Sequence, residues 1–69
     1  MQLTLNNEVR RYREERSLTQ QELADKVGVT RQTIIALEKG NYTPSLLLAF
    51  KICIALEETI DSVFNVVER

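Results

Sequence analysis

Two short helices joined by a tight turn can be read from Gln20–Lys39, QQELADKVGVTRQTIIALEK, and no other stretch constrains the fold as much. Thr19 can N-cap the first helix, and Glu22, three residues on, completes a Thr-x-x-Glu capping box. Leu23, Ala24 and Val27 place apolar groups on one face. Gly28 stands where a helix ends in a left-handed residue, a conformation that costs glycine least. Val29 can fill the angle between the helices, and Thr30 can cap the second. The small Ala24 lets the second helix cross closely over the first.

This is the pattern of a helix-turn-helix. On a wheel of about 100° per residue with Arg31 at zero, Thr33, Ile34 and Leu37 fall between roughly 200° and 300°, the side expected to be buried. Arg31, Gln32, Ile35, Ala36 and Lys39 cover roughly 0° to 140°. That arc holds two cations, one amide, two apolar groups and no acid. A helix lying in the major groove of DNA needs such a face: Arg can be bidentate to guanine, Gln to adenine, and apolar groups meet the thymine methyl. Arg31 and Gln32 are the expected base readers, with Thr33, Ile35 and Ala36 adding apolar or shape contacts. The competing reading, a solvated helix face, is the ordinary one for an isolated helix. The capped helix before it, Ala24 and Gly28 argue for the motif.

Leu18-Thr19-Gln20-Gln21-Glu22-Leu23-Ala24, Val27 through Ile34, and Leu37-Glu38-Lys39-Gly40 together resemble the Cro/C1-type helix-turn-helix family. The likeness continues through Thr43-Pro44-Ser45-Leu46, Ala55-Leu56 and Ile60 to Phe64, essentially the whole chain. It is similar to the short, stand-alone branch, with no effector domain. The resemblance implies an all-α, lambda-repressor-like domain of five helices over residues 1–69, with a central helix-turn-helix at 20–39. It also implies that a helix 1 arginine, here Arg13, pairs with the glutamate before the last residue of the recognition helix, here Glu38. Such a pair would neutralise an acid at the edge of the DNA-facing arc. Gln20 matches a family position that holds backbone phosphate.

Composition sets the remaining limits. Sixty-nine residues make one small domain, marginal alone and helped by burial in a dimer. Charged residues are 28% and Gly and Pro are scarce, so the chain is globular and helix-rich. No apolar run reaches about 18 residues, so no membrane span is expected. The first residues lack the apolar core of a signal peptide, so the expected location is cytoplasmic. Net charge is −1, unusual for a nucleic-acid binder. However, residues 1–40 hold seven Lys/Arg against six Asp/Glu, and residues 41–69 hold two against four. Phosphate binding needs a local patch rather than a basic protein. One cysteine and no histidine exclude an internal disulfide and leave too few ligands for zinc. Cys53, inside an apolar run, reads as an inert core residue. No nucleophile–base set or Gly-rich phosphate loop is present, so no enzyme, cofactor or small-molecule ligand is expected.

Around the motif, Met1–Leu5 alternates like a short strand. Asn6 or Asn7 can cap a helix running to about Arg16, with Val9 and Tyr12 inward against Leu5 or Leu18. Its remaining arginines alternate with glutamates, as on a mixed solvated face. After the Gly40 stop, Thr43 can cap a helix with Pro44 first, and helix N-termini attract phosphate through free amides. Lys39, Asn41, Tyr42, Thr43 and Ser45 are weaker phosphate candidates, with capping the alternative for Thr43 and Ser45. The helix from about Ser45 to Leu56 turns Leu46, Leu48, Ala49, Ile52, Cys53 and Leu56 inward. Leu47, Phe50 and Ile54 form a second stripe, broken only by Lys51, where a one-sided helix would be polar. Thr59 can cap a last short helix. Phe64–Val67 can pair with Gln2–Leu5 as a small antiparallel sheet, which short members of the family can have.

The surplus apolar surface marks residues 44–69 as a homodimer interface built on Leu47, Phe50, Ile54, Val63, Phe64 and Val66. The expected function is a sequence-specific double-stranded DNA-binding regulator, usually a repressor occupying an inverted-repeat operator. The alternative is an antitoxin-like or adaptor module that keeps the fold but binds another protein, for which the acidic balance is the best support.

Overall fold

Seven elements follow one another in the computed structural model, which describes residues 1–68. Arg69, the last residue of the segment expected to dimerise, lies outside them. The order is β1 (Leu3–Asn7), α1 (Val9–Glu15), α2 (Gln20–Val27), α3 (Arg31–Glu38), α4 (Leu46–Leu56), α5 (Ile60–Val63) and β2 (Phe64–Glu68). The two strands correct the all-α expectation: β1 and β2 form a two-stranded antiparallel sheet beside the five helices.

Leu3 faces Glu68, Leu5 faces Val66 and Asn7 faces Phe64. The register is displaced by two residues from the expected pairing of 2–5 with 64–67. A two-residue slip keeps every side chain on its own face. The strand runs on to Asn7 because that residue is held twice: its Oδ1 accepts from the Val9 N–H at 3.1 Å, and its Nδ2 donates to the Leu37 carbonyl at 3.0 Å. Glu8, not Asn7, is the N-cap of α1 and its side chain makes no capping bond, so the Asn7 side chain holds the first helical N–H from one residue further back and ties it to the end of α3. The Glu8 N–H donates to the Val63 carbonyl at 2.8 Å, fastening the same corner to α5.

Local chemistry sets each helix. In α2 the Thr19 hydroxyl accepts from the Glu22 N–H at 3.0 Å, and the Glu22 carboxylate accepts from the Thr19 N–H at 2.9 Å. These bonds hold the Glu22 carboxyl below its ordinary pKa, the backbone N–H contributing most. Gly28 ends α2 at φ +76°. Thr30 caps α3 through the Thr33 N–H at 3.4 Å. Helix α4 differs from expectation: Ser45, not Thr43, is its cap, accepting from the Leu48 N–H at 3.1 Å. Ser45 is extended, and Pro44 falls just outside the helix, where it holds Thr43 away from helical geometry. Thr59 stands at the N-cap of α5, but its hydroxyl meets the Ser62 hydroxyl at 2.7 Å instead of a backbone amide.

The core gathers one face from each helix. Val9, Leu23, Ala24, Ile34, Leu37, Ile52, Leu56 and Val63 have no exposed surface. Burying such a Leu or Ile side chain contributes roughly 1.5–3 kcal/mol. Ala24, under α3, leaves room for the close crossing of the two motif helices. Cys53 joins this core, where burial pushes its thiol pKa up toward the inert protonated form.

Three apolar residues lie elsewhere than expected. Leu46 is 70% exposed rather than inward. It opens α4 roughly 90° from the middle of the buried arc, so it extends the outer stripe. Val63 and Phe64, expected on the dimer surface, are both buried in their own core cluster. The short α5 turns Val63 inward, and the sheet begins only at Phe64, opposite Asn7.

Candidate nucleic-acid interface

Helices α1, α2 and α3 enclose an open groove of about 780 Å³. Arg10, Arg13 and Glu14 enter from α1, Gln20 and Gln21 from the start of α2, and Arg31, Ile35, Glu38 and Lys39 from α3. Thr19 completes the rim. Four cations and two acids line it, a local balance of +2 in a chain whose net charge is −1. The groove thus concentrates positive charge in an acidic domain.

The floor is a buried ion pair. Arg13 Nε donates to Glu38 Oε2 at 2.7 Å, and Nη2 donates to Oε1 at 3.1 Å. A third bond, Nη1 to the Leu18 carbonyl at 2.8 Å, holds the guanidinium against the turn before α2. The two side chains are only 10% and 4% exposed. The hydrogen bonds to Glu38 raise the Arg13 pKa against the opposing effect of desolvation. Gln20 Nε2 adds a bond to Glu38 Oε1 at 3.2 Å, so the amide expected at phosphate is tethered to the same carboxylate. Three helices are therefore locked at one acidic side chain, whose charge is answered before any ligand arrives.

The face of α3 is presented as its wheel requires. Arg31, Gln32 and Lys39 are exposed, and Ile35 and Ala36 are half-buried. Thr33 is half-buried too, and its hydroxyl lies 3.2 Å from that of Thr30, so it is partly engaged in holding the start of α3. Beyond α3, Gly40 at φ +81° turns the chain, and the Asn41 N–H donates to the Ala36 carbonyl at 2.9 Å. Asn41, Tyr42, Thr43 and Ser45 are exposed after this turn, outside the groove lining. The Ser45 hydroxyl is occupied in capping α4.

The comparisons with known proteins agree with this arrangement. Residues 9–63 match the family model described as helix-turn-helix. An uncharacterized HTH-type transcriptional regulator of Methanothermobacter thermautotrophicus is 61% identical over 57 residues, 81% of this chain and 83% of that protein. The regulator YgzD of Bacillus subtilis is 48% identical over 60 residues, 87% of this chain and 91% of its own. The chain belongs to the Cro/C1-type helix-turn-helix family. Among solved structures, the clp gene regulator ClgR from Corynebacterium glutamicum superposes with a TM-score of 0.73 at 29% identity, over 75% of this chain. This chain spans 55% of that one. The transcriptional regulator VanUg superposes with a TM-score of 0.78 over all of this chain and 92% of its own, and at 21% identity it shows the shared fold.

Membership in a family of Cro/C1-type transcriptional regulators implies DNA-binding regulation, and the relatives named above are regulators rather than enzymes. No helix among the described residues is long and apolar enough to cross a membrane. Within this family frame, Arg10 and Gln21 line the groove although the sequence reading assigned neither to it. A signal for Arg10 existed. Arg10, Arg13 and Glu14 stand at i, i+3 and i+4, so once Arg13 points at α3 the other two share its face.

Proposed function

We propose that this protein is a sequence-specific double-stranded DNA-binding regulator that represses by occupying an operator as a homodimer. The observation that carries this reading is the exposed α3 face, Arg31, Gln32 and Lys39, beside a groove of net positive charge. Arg31 and Gln32 have the bidentate chemistry that reads guanine and adenine, and Ile35 and Ala36 offer apolar contact to thymine methyls. Lys39 and Gln20 flank that face and are suited to phosphate, with Asn41, Tyr42 and Thr43 on the adjoining loop.

The dimer rests on the outer stripe of α4. Leu46, Leu47 and Ile54 are 65–75% exposed and Phe50 is 46% exposed, with Val66 of β2 also in solvent. A two-fold interface lets such a patch pack on itself. The domain measures 36 × 22 × 20 Å, so two copies side by side can present their α3 helices about 34 Å apart, one turn of duplex. The operator is then an inverted repeat. Selection of bound duplexes from a random pool tests this directly: two half-sites about one turn apart are expected, and recovery of no consensus would sink the reading.

The same stripe and the sequence pI of 5.3 favour a second reading, an antitoxin-like or adaptor module on the same fold. A protein that sediments as a monomer at tens of micromolar would leave the stripe to another protein.

A further inference from the structure

We propose that Arg10 of α1 grips a DNA phosphate, and that Glu14 competes with that phosphate for the Arg10 guanidinium. The inference rests on the DNA-binding reading above. Arg10 lines the same groove as Arg31 and Lys39, one helical turn before Arg13. The two α1 arginines differ in availability. Arg13 is buried and spends its donors on Glu38 and the Leu18 carbonyl. Arg10 is 72% exposed and makes one ion contact, Nε to Glu14 Oε2 at 3.3 Å, with Glu14 itself 56% exposed. Of the two groove-lining cations on α1, Arg10 is the one a polyanion can reach.

An exposed i,i+4 pair holds its partners only weakly. A phosphate can accept two parallel N–H bonds from a guanidinium and displaces counterions as it does so, a stronger combination. Arg10 therefore exchanges Glu14 for phosphate on binding. Glu14 then remains in the groove without its partner, an acid near the duplex backbone. It lowers affinity twice, by holding Arg10 in the free protein and by repelling phosphate in the complex. The pair tunes how firmly an acidic domain holds DNA, without touching a base.

The test is the salt dependence of binding to the duplex recovered by selection, measured for the unmutated protein, Arg10→Gln, Arg10→Lys and Glu14→Gln. Arg10→Gln should reduce the slope of log K against log salt by about 0.9, so that the unmutated protein loses about threefold more affinity than the variant between about 50 and about 200 mM salt. Arg10→Lys should keep the slope. Glu14→Gln should tighten binding, and by a larger factor with Arg10 present than in an Arg10→Gln background. Equal slopes for the unmutated protein and Arg10→Gln would overturn the phosphate contact, and an equal gain from Glu14→Gln in both backgrounds would overturn the competition. An unmutated protein with no salt-dependent binding to any duplex would instead remove the function on which the inference stands. Because Arg10 is exposed, all variants should keep the native circular dichroism spectrum.

Discussion

At the floor of the groove, charged side chains meet partners; on the outer face of α4, apolar side chains meet water. Arg13 and Glu38 are closed off by four side-chain hydrogen bonds shared with Leu18 and Gln20. Leu46, Leu47, Phe50 and Ile54, by contrast, touch no helix of their own chain closely enough to be covered. The floor of the groove is finished before a ligand arrives, because a misplaced charge is costly where it is buried. The stripe is unfinished, and only association can remove it from solvent. One region stores its energy within the chain and the other holds it for a partner.

Substitutions in the two regions should therefore separate stability from binding. The largest effect is expected at the buried pair. Arg13→Ala leaves Glu38 charged and unpaired, which costs about 3–5 kcal/mol when a buried partner is lost. Urea unfolding should show a large fall in midpoint, and the joint change Arg13→Met with Glu38→Leu should recover much of it. A midpoint shift equivalent to less than about 1 kcal/mol would mean that the pair behaves as an exposed one.

On the α4 stripe the opposite pattern is expected. Ile54→Glu should keep the native circular dichroism spectrum and remove the dependence of the unfolding midpoint on protein concentration, while sedimentation shifts to the monomer and operator affinity falls about 100-fold as the linked second half-site is lost. Operator binding that survives intact in a monomer would break the contrast.

Base reading should respond more modestly. Gln32→Ala is expected to cost about 1–3 kcal/mol on the best site and to relax preference at one position. Equal weakening on every sequence would make Gln32 a backbone contact. The smallest effect is at the rim: Thr19→Ala should cost about 1 kcal/mol in thermal unfolding. Glu22→Gln should flatten the acid limb of stability, whereas Thr19→Ala keeps the N–H of residue 19 and should leave most of that limb in place. The Glu22 carboxyl is depressed in the folded state, so its contribution is present at neutral pH and lost as pH falls through that lowered value.

The helix-turn-helix was legible because its determinants are local. Thr19, Gly28 and Thr30 each act on amides or carbonyls within four residues. The contact of Arg13 with Glu38 spans 25 positions, and only a family resemblance pointed to it. Around Pro44 two hydroxyls stood equally ready to cap, and the choice of Ser45 depends on where the loop from Gly40 arrives. Val63 and Phe64 looked like surface because apolar residues near a terminus have no pattern to place them. Their burial follows from the pairing of Phe64 with Asn7 and from the Glu8 N–H bond to the Val63 carbonyl, which are tertiary events. Arg10 was hidden by its neighbours: interleaved Arg and Glu read as a solvated face unless one of them is already known to point inward.

The antiparallel pairing of Leu3 with Glu68 also has a consequence for how the domain is made. A helix-turn-helix with caps this local can organise while still attached to a ribosome. The clasp between β1 and β2 cannot, because β2 follows all five helices in the sequence. Closing so long a loop costs conformational entropy that local helices do not lose. Synthesis should therefore leave a helical intermediate that a protease can cut at β1 until β2 has emerged.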